Sequence, residues 1–250
     1  MKKLKAPLLF TLPLLPIAAV AGYFTILYQL DFLDAAAIDL AVSQIGSIEA
    51  LIAVTVVQTV GYAAFCGFAG YILASKLGLM KPIRFEKKAV ITTLILAFAG
   101  GVVFSLDYWT FGAWIPGLRE GTEATLSVCA ILASILYGGI IEELMLRLFF
   151  MSLIAWLIWK IFCRKAQGVP TKVLIAANVI AAMLFAAGHL PATVMTFGTL
   201  TPLLVFRCFL MNGGFGLFFG WLYRKFGIQY AMLGHGAMHI VSKLIWFLFV

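Results

Sequence analysis

The sequence predicts an all-α protein, a polytopic transmembrane helical bundle with about seven or eight spans. Of the 250 residues, 64% are hydrophobic and 11% charged, and the mean hydropathy is +1.07, outside the composition of a soluble globular domain. The apolar residues fall in runs at roughly 7–29, 48–74, 89–106, 122–163, 172–189, 200–223 and 228–249, most of them near the ~20 residues that cross a bilayer. Open strands cannot satisfy their backbone groups in lipid, so each run is expected to be a helix.

The first run follows Met1-Lys2-Lys3-Leu4-Lys5 and resembles a secretory signal peptide as far as Ala19-Val20-Ala21. Its apolar residues continue to Leu30, which is long enough for an uncleaved first span. Segment 30–47, with Asp31, Asp34 and Asp39 and Glu49 just beyond, predicts a surface helix on an acidic side. Lys76, Lys81, Arg84, Lys87 and Lys88 then face only Glu86. The asymmetry places the N-terminus and the 75–88 loop in the cytoplasm and segment 30–47 outside.

The run 122–163 is ambiguous, since about 42 residues as an α-helix would reach roughly 63 Å, twice the hydrocarbon thickness. Lys160, Arg164, Lys165 and Lys172, and later Arg224-Lys225, share the cytoplasmic side only if this run crosses an odd number of times. One long helix, hinged at Gly138-Gly139, is therefore favoured, giving seven spans; a double crossing would give eight. Gly213, Gly214, Gly216 and Gly220 include a G-x-x-x-G pair suited to close helix approach.

The chain reads as a single integral membrane domain, 1–250, in which the role of the spans in 1–110 is unassigned. Its net charge of +8 is dispersed between apolar runs, so orientation in a cell membrane explains it and nucleic-acid binding does not. Cys66, Cys129, Cys163 and Cys208 lie in or beside apolar segments without C-x-x-C spacing, which fits small buried hydrophobes.

Three polar clusters interrupt this apolar chain, and ionisable groups at membrane depth are costly enough to mark function. In the first, Glu143 and Arg147 are spaced i,i+4 with the acid N-terminal, the favourable order for an ion pair. Glu142 points about 100° away and has only Leu146 one turn on, which leaves it as the candidate base. A plain buried salt-bridge cluster would look the same. In the second, His189 follows Phe185 by one turn, so the ring can pack on the imidazole, and Asn178 lies on the same stripe. In the third, His235 and His239 share one helix face with Ser242 and Lys243, a stripe that must face protein or a water-filled cavity. A hydrated packing face with Lys243 reaching the headgroups is the alternative. Straight helices place Glu142 and His235 toward the basic half and His189 about 25 Å away toward the outside.

In this order, Glu142-Glu143-x-x-x-Arg147, Phe185-x-x-x-His189 and His235-x-x-x-His239 resemble the motifs of the CPBP (Abi) intramembrane proteases, which include the type II CAAX prenyl endopeptidases. The segment from Gly216 to Arg224 is also similar, and the resemblance covers about 125–245 within a catalytic core at 122–249. It implies an endopeptidase acting near the membrane surface. Glu142 would activate water, His189 would orient it or share its proton, and His235 would stabilise the oxyanion. Glu143, Arg147 and Phe185 would support the site. The last motif usually ends in Asn or Asp, and here it ends in His239. That change leaves open a zinc site formed by Glu142, His189, His235 and His239, alongside a metal-free site with no cofactor. Membrane lipid and a peptide or lipidated peptide are the implied partners. A proton-coupled transporter and a non-proteolytic scaffold or immunity protein are the competing readings.

Overall fold

A computed structural model describes residues 2–33 and 35–250. Met1 and Asp34, and the side chains of Lys2, Lys3 and Phe32, lie outside the described residues, as does the part of the charge reading that rests on them. No strand occurs among the described residues. Seven helices are long and apolar enough to cross a membrane: α1 (Leu4–Asp31), α3 (Ile48–Lys76), α4 (Lys87–Ala113), α6 (Val128–Phe162), α7 (Thr171–Phe197), α8 (Pro202–Phe226) and α9 (Ile228–Phe249). Two short helices join them, α2 (Ala35–Ile45) and α5 (Leu118–Ala124). The described part of α2 has no buried residue, as a surface helix requires.

The run 122–163 resolves into the end of α5 and a single span, α6, which gives seven membrane-capable helices among the described residues rather than eight. At 35 residues α6 exceeds what a bilayer core of ~30 Å needs, and its last turns carry Lys160 to the basic end. There Lys76 lies 5.9 Å over the Trp156 ring, which joins the ends of α3 and α6. The 77–86 loop closes the same end: the Tyr230 hydroxyl donates to the Arg84 carbonyl and accepts from the Glu86 N–H, while Lys81 donates to the Lys225 carbonyl. Partial burial there lowers the Lys81 ammonium from its ordinary value, with Glu86 acting in the opposite sense. At the other end, Ile115 and Leu118 pack with Leu204, and Tyr108 donates to Glu123.

The expected hinge at Gly138-Gly139 is absent. Instead α6 is wound as π-helix over Ser134–Glu142 and again over Leu144–Met151, a geometry that is rare and concentrates at functional sites. The two glycines serve close approach: a Cβ on Gly139 would sit 3.1 Å from Gly236 Cα, and one on Gly138 would sit 3.4 Å from His239 Nε2. The glycines of α8 work similarly. A Cβ on Gly220 would overlap the Asn178 amide, and one on Gly216 would crowd Ala182 at 3.1 Å and Arg147 Nη2 at 3.3 Å.

The core is continuous from α1 to α9. Ala18 and Ala21 of α1, Ala63 of α3, Leu144 and Leu148 of α6, and Phe219 and Leu222 of α8 belong to one buried cluster. α1 packs along α3, and α9 packs along α4. All four cysteines are free; Cys66 and Cys208 are buried, and Cys129 and Cys163 are partly exposed.

Candidate active site

The three polar clusters converge on one cavity of about 490 Å³ between α1, α4, α6, α7, α8 and α9. Glu142, His189, His235 and His239 all line it, as do Tyr28 of α1 and Phe104 of α4. The N-terminal spans therefore wall the chamber. A second cavity shares His189, Asn212 and His239 and continues to Thr122, Thr125 and Thr196 at the acidic end of the bundle. The expectation that Glu142 and His235 belong to the basic half thus gives way to a site connected to the acidic end.

The two carboxylates divide as their spacing suggests. Glu143 is fully buried and Arg147 is 2% exposed, with Nε to Oε2 at 3.4 Å. Arg147 also donates to the Gly216 carbonyl at 3.1 Å and lies over the rings of Phe185 and Phe219, at 4.9 and 5.5 Å. Four residues remain about one turn in the wider π winding, so the pair survives the change of helix type. Glu142 faces the cavity and is 18% exposed.

Glu142 Oε1 lies 4.0 Å from His189 Nε2, not 25 Å from it. Helix α7 runs opposite to α6 and side chains lean toward the N-terminus of their own helix, so these two lean toward each other. Helix α6 also continues from Glu142 to Phe162 before α7 returns from Thr171, so Glu142 and His189 lie at a similar height. His189 Nδ1 donates to the Phe185 carbonyl at 2.9 Å, and the Phe185 ring meets the imidazole edge-on at 4.6 Å. Because a carbonyl can only accept, the neutral ring carries its proton on Nδ1 and turns the Nε2 lone pair to Glu142. One water lying between Oε1 and Nε2 could donate to both.

His235 is held from three sides. Its Nδ1 donates to Glu143 Oε1 at 2.9 Å, its ring stacks on Phe219 at 4.2 Å, and its Nε2 lies 3.2 Å from His239 Nε2. Glu143 therefore does more than pair with Arg147; it fixes the orientation of His235. Because His235 gives its Nδ1–H to Glu143, its Nε2 accepts and His239 Nε2 donates, so the neutral pair offers an N–H to a ligand only by giving up this bond.

Two residues of the expected polar stripes point elsewhere. Asn178 donates to the Leu217 carbonyl at 2.9 Å and ties α7 to α8 away from the cavity. Ser242 is buried and donates to the His239 carbonyl at 3.1 Å, within its own helix. Lys243 does line the chamber, but it donates to the Thr125 carbonyl at 2.8 Å rather than reaching a headgroup layer. Asn212 had no sequence signal: it sits on a third π segment, Phe209–Gly213, and it lines both cavities while its amide donates to the Cys208 carbonyl at 3.1 Å. Helix winding of this kind is not encoded in hydrophobic periodicity.

The donor set does not fit a catalytic zinc as placed. Such a site takes three protein ligands, and no three His, Cys, Asp or Glu side chains among the described residues gather to hold a metal. The Nδ1 atoms of His189 and His235 are occupied by Phe185 and Glu143.

Comparisons with curated proteins and with solved structures gave no match. Residues 124–241 match the family model described as Type II CAAX prenyl endopeptidase Rce1-like. That range begins just before α6 and ends inside α9, so it contains the residues of all three clusters up to His239. This match, over just under half of the chain, supports membership of the CPBP family of intramembrane proteases.

Proposed function

We propose that the chain hydrolyses a peptide bond of a membrane-associated substrate in the cavity bounded by α6, α7, α8 and α9, with Glu142 as general base. The observation that carries this is the facing pair of Glu142 Oε1 and His189 Nε2 at 4.0 Å, both on the cavity wall. Each is an acceptor, so a water held between them donates both hydrogens and directs a lone pair at the substrate carbonyl. Its oxygen bonds to the carbonyl carbon while Glu142 takes one proton. The tetrahedral oxyanion is met by the His239 Nε2–H, which turns from His235 Nε2 to the substrate while Glu143 holds the His235 ring in place. Collapse breaks the C–N bond, and the proton on Glu142 passes to the leaving amine.

His239 replaces the usual amide or acid of the last motif and supplies a ring N–H instead. Asn212 offers a second donor from α8. No step requires a metal. A lipidated peptide would find room for its chain in an apolar groove of about 590 Å³ between α4 and α8, which meets the active cavity at Met211 and Phe215. By the charge rule, the basic end faces the cytoplasm and the cavity opens to the other side.

The test is cleavage of a peptide library by protein purified in detergent, compared with Glu142→Gln and His189→Ala. Fragments released by the wild type and by neither variant support the assignment. Equal cleavage by Glu142→Gln would overturn it, and proton-coupled solute uptake by liposomes without cleavage would favour a transporter.

A further inference from the structure

The chamber beyond His239 contains a cation with no counter-charge. Lys243 is 6% exposed and lines the cavity with His189, Thr196 and Asn212. Its ammonium donates to the Thr125 carbonyl at 2.8 Å, and among the described residues no carboxylate pairs with it. The nearby Arg207 differs, because Asp107 already holds it: Nε donates to Oδ1 at 2.8 Å and Nη2 to Oδ2. One of the two cations on this wall is neutralised and the other is not.

A buried ammonium on an apolar helix is costly, and a carbonyl dipole compensates only part of the lost hydration. Two of its three N–H donors remain for a ligand that reaches the chamber. Lys243 follows His239 by one helical turn, so their Cβ atoms are about 5–6 Å apart. Two or three extended residues, at about 3.3–3.6 Å each, cover the distance from a carbonyl at the imidazole pair to this ammonium.

We propose that Lys243 forms an anion subsite that binds a carboxylate of the substrate a few residues from the scissile bond. Resting on the protease reading, the proposal adds what the far end of the chamber recognises. The carboxylate is either the C-terminal group of the peptide or an acidic side chain. In both cases it replaces water around Lys243 and completes the ion pair that Asp107 provides for Arg207.

The probes are three N-acetylated tripeptides: trialanine acid, trialanine carboxamide, and the carboxamide with aspartate in the last position. Binding is measured by calorimetry on the full chain in detergent, in the wild type and in Glu142→Gln, so the result does not depend on cleavage. The acid is expected to bind at least about tenfold more tightly than the carboxamide in both proteins. Lys243→Gln removes the preference, and Lys243→Arg keeps it. If the aspartate carboxamide matches the acid, the subsite reads a side chain; if it matches the plain carboxamide, the subsite reads the chain terminus.

Equal binding of acid and carboxamide overturns the proposal, as does a preference that survives Lys243→Gln or no binding of any probe up to millimolar concentration. Should Lys243→Gln fail to fold, the comparison of acid with carboxamide in the wild type and Lys243→Arg decides. Loss of cleavage in Glu142→Gln tests the protease assignment separately.

Discussion

Arg147→Ala is expected to destabilise the protein strongly, and the partners of Arg147 give the magnitude. The substitution strands Glu143, which is fully buried, and it removes a hydrogen bond to Gly216 and two cation–ring contacts. Removing one partner of a buried ion pair costs about 3–5 kcal/mol. The 3.4 Å contact between Nε and Oε2 is Coulombic rather than a hydrogen bond, and Arg147 Nη1 has no hydrogen-bond partner among the described residues, which favours the lower end of that range. For a chain of this size a loss of 3 kcal/mol lowers the midpoint of thermal unfolding by about 6–12 °C.

The assay is thermal unfolding in detergent, beside the double variant Glu143→Leu with Arg147→Met. Removing both charges leaves no stranded carboxylate and should restore most of the lost stability. The double variant should still fail to cleave, because His235 Nδ1 has lost its acceptor. A shift below about 1 kcal/mol in Arg147→Ala, the scale of an exposed pair, would refute the reasoning. So would full cleavage by the double variant.

Glu142→Gln should lower the rate of cleavage by at least about 10²-fold, the contribution of a positioned general base, with an unchanged unfolding midpoint. A shifted midpoint would instead indicate a structural carboxylate. Asn212→Leu should lower kcat by roughly 10²-fold if its amide donates to the oxyanion, with KM little changed; an effect on KM alone would reassign it to binding. Gly139→Val should separate α6 from α9 and cost about 1–3 kcal/mol, because its Cβ would press on the Gly236 backbone at 3.1 Å. A stable, active Gly139→Val would refute that packing. Cleavage should persist after chelation, and His239→Asn should leave metal content unchanged. Zinc at about one per chain, lost in that variant, would overturn the metal-free mechanism.

Much of this protein is legible from local pattern. The seven apolar runs and the basic loops between them located every span, because a helix in lipid satisfies its own backbone and only its length and flanks need specifying. The separation of Glu142 from Glu143 followed from the i,i+4 position of Arg147. The height of Glu142 is not legible from the charge pattern, because α6 runs on past it to Phe162 before α7 returns from Thr171, which brings His189 level with it, and opposed side-chain lean closes the gap. Gly138 and Gly139 fit a hinge equally well in sequence, since a glycine that lets another backbone approach and a glycine that bends a helix look alike there.

The sequence by itself determined an all-helical membrane chain with seven or eight spans and three ionisable clusters, since hydrophobicity, span length and one-turn spacing act within a few residues of the chain. Only the tertiary structure decided that Glu143 orients His235, that Asn212 enters the cavity and that Lys243 lacks the counter-charge given to Arg207. These are pairings between helices far apart in the chain, 92 residues for Glu143 and His235 and 118 for Lys243 and Thr125. Their energies depend on which faces the packed bundle turns toward each other, and no local periodicity encodes that choice.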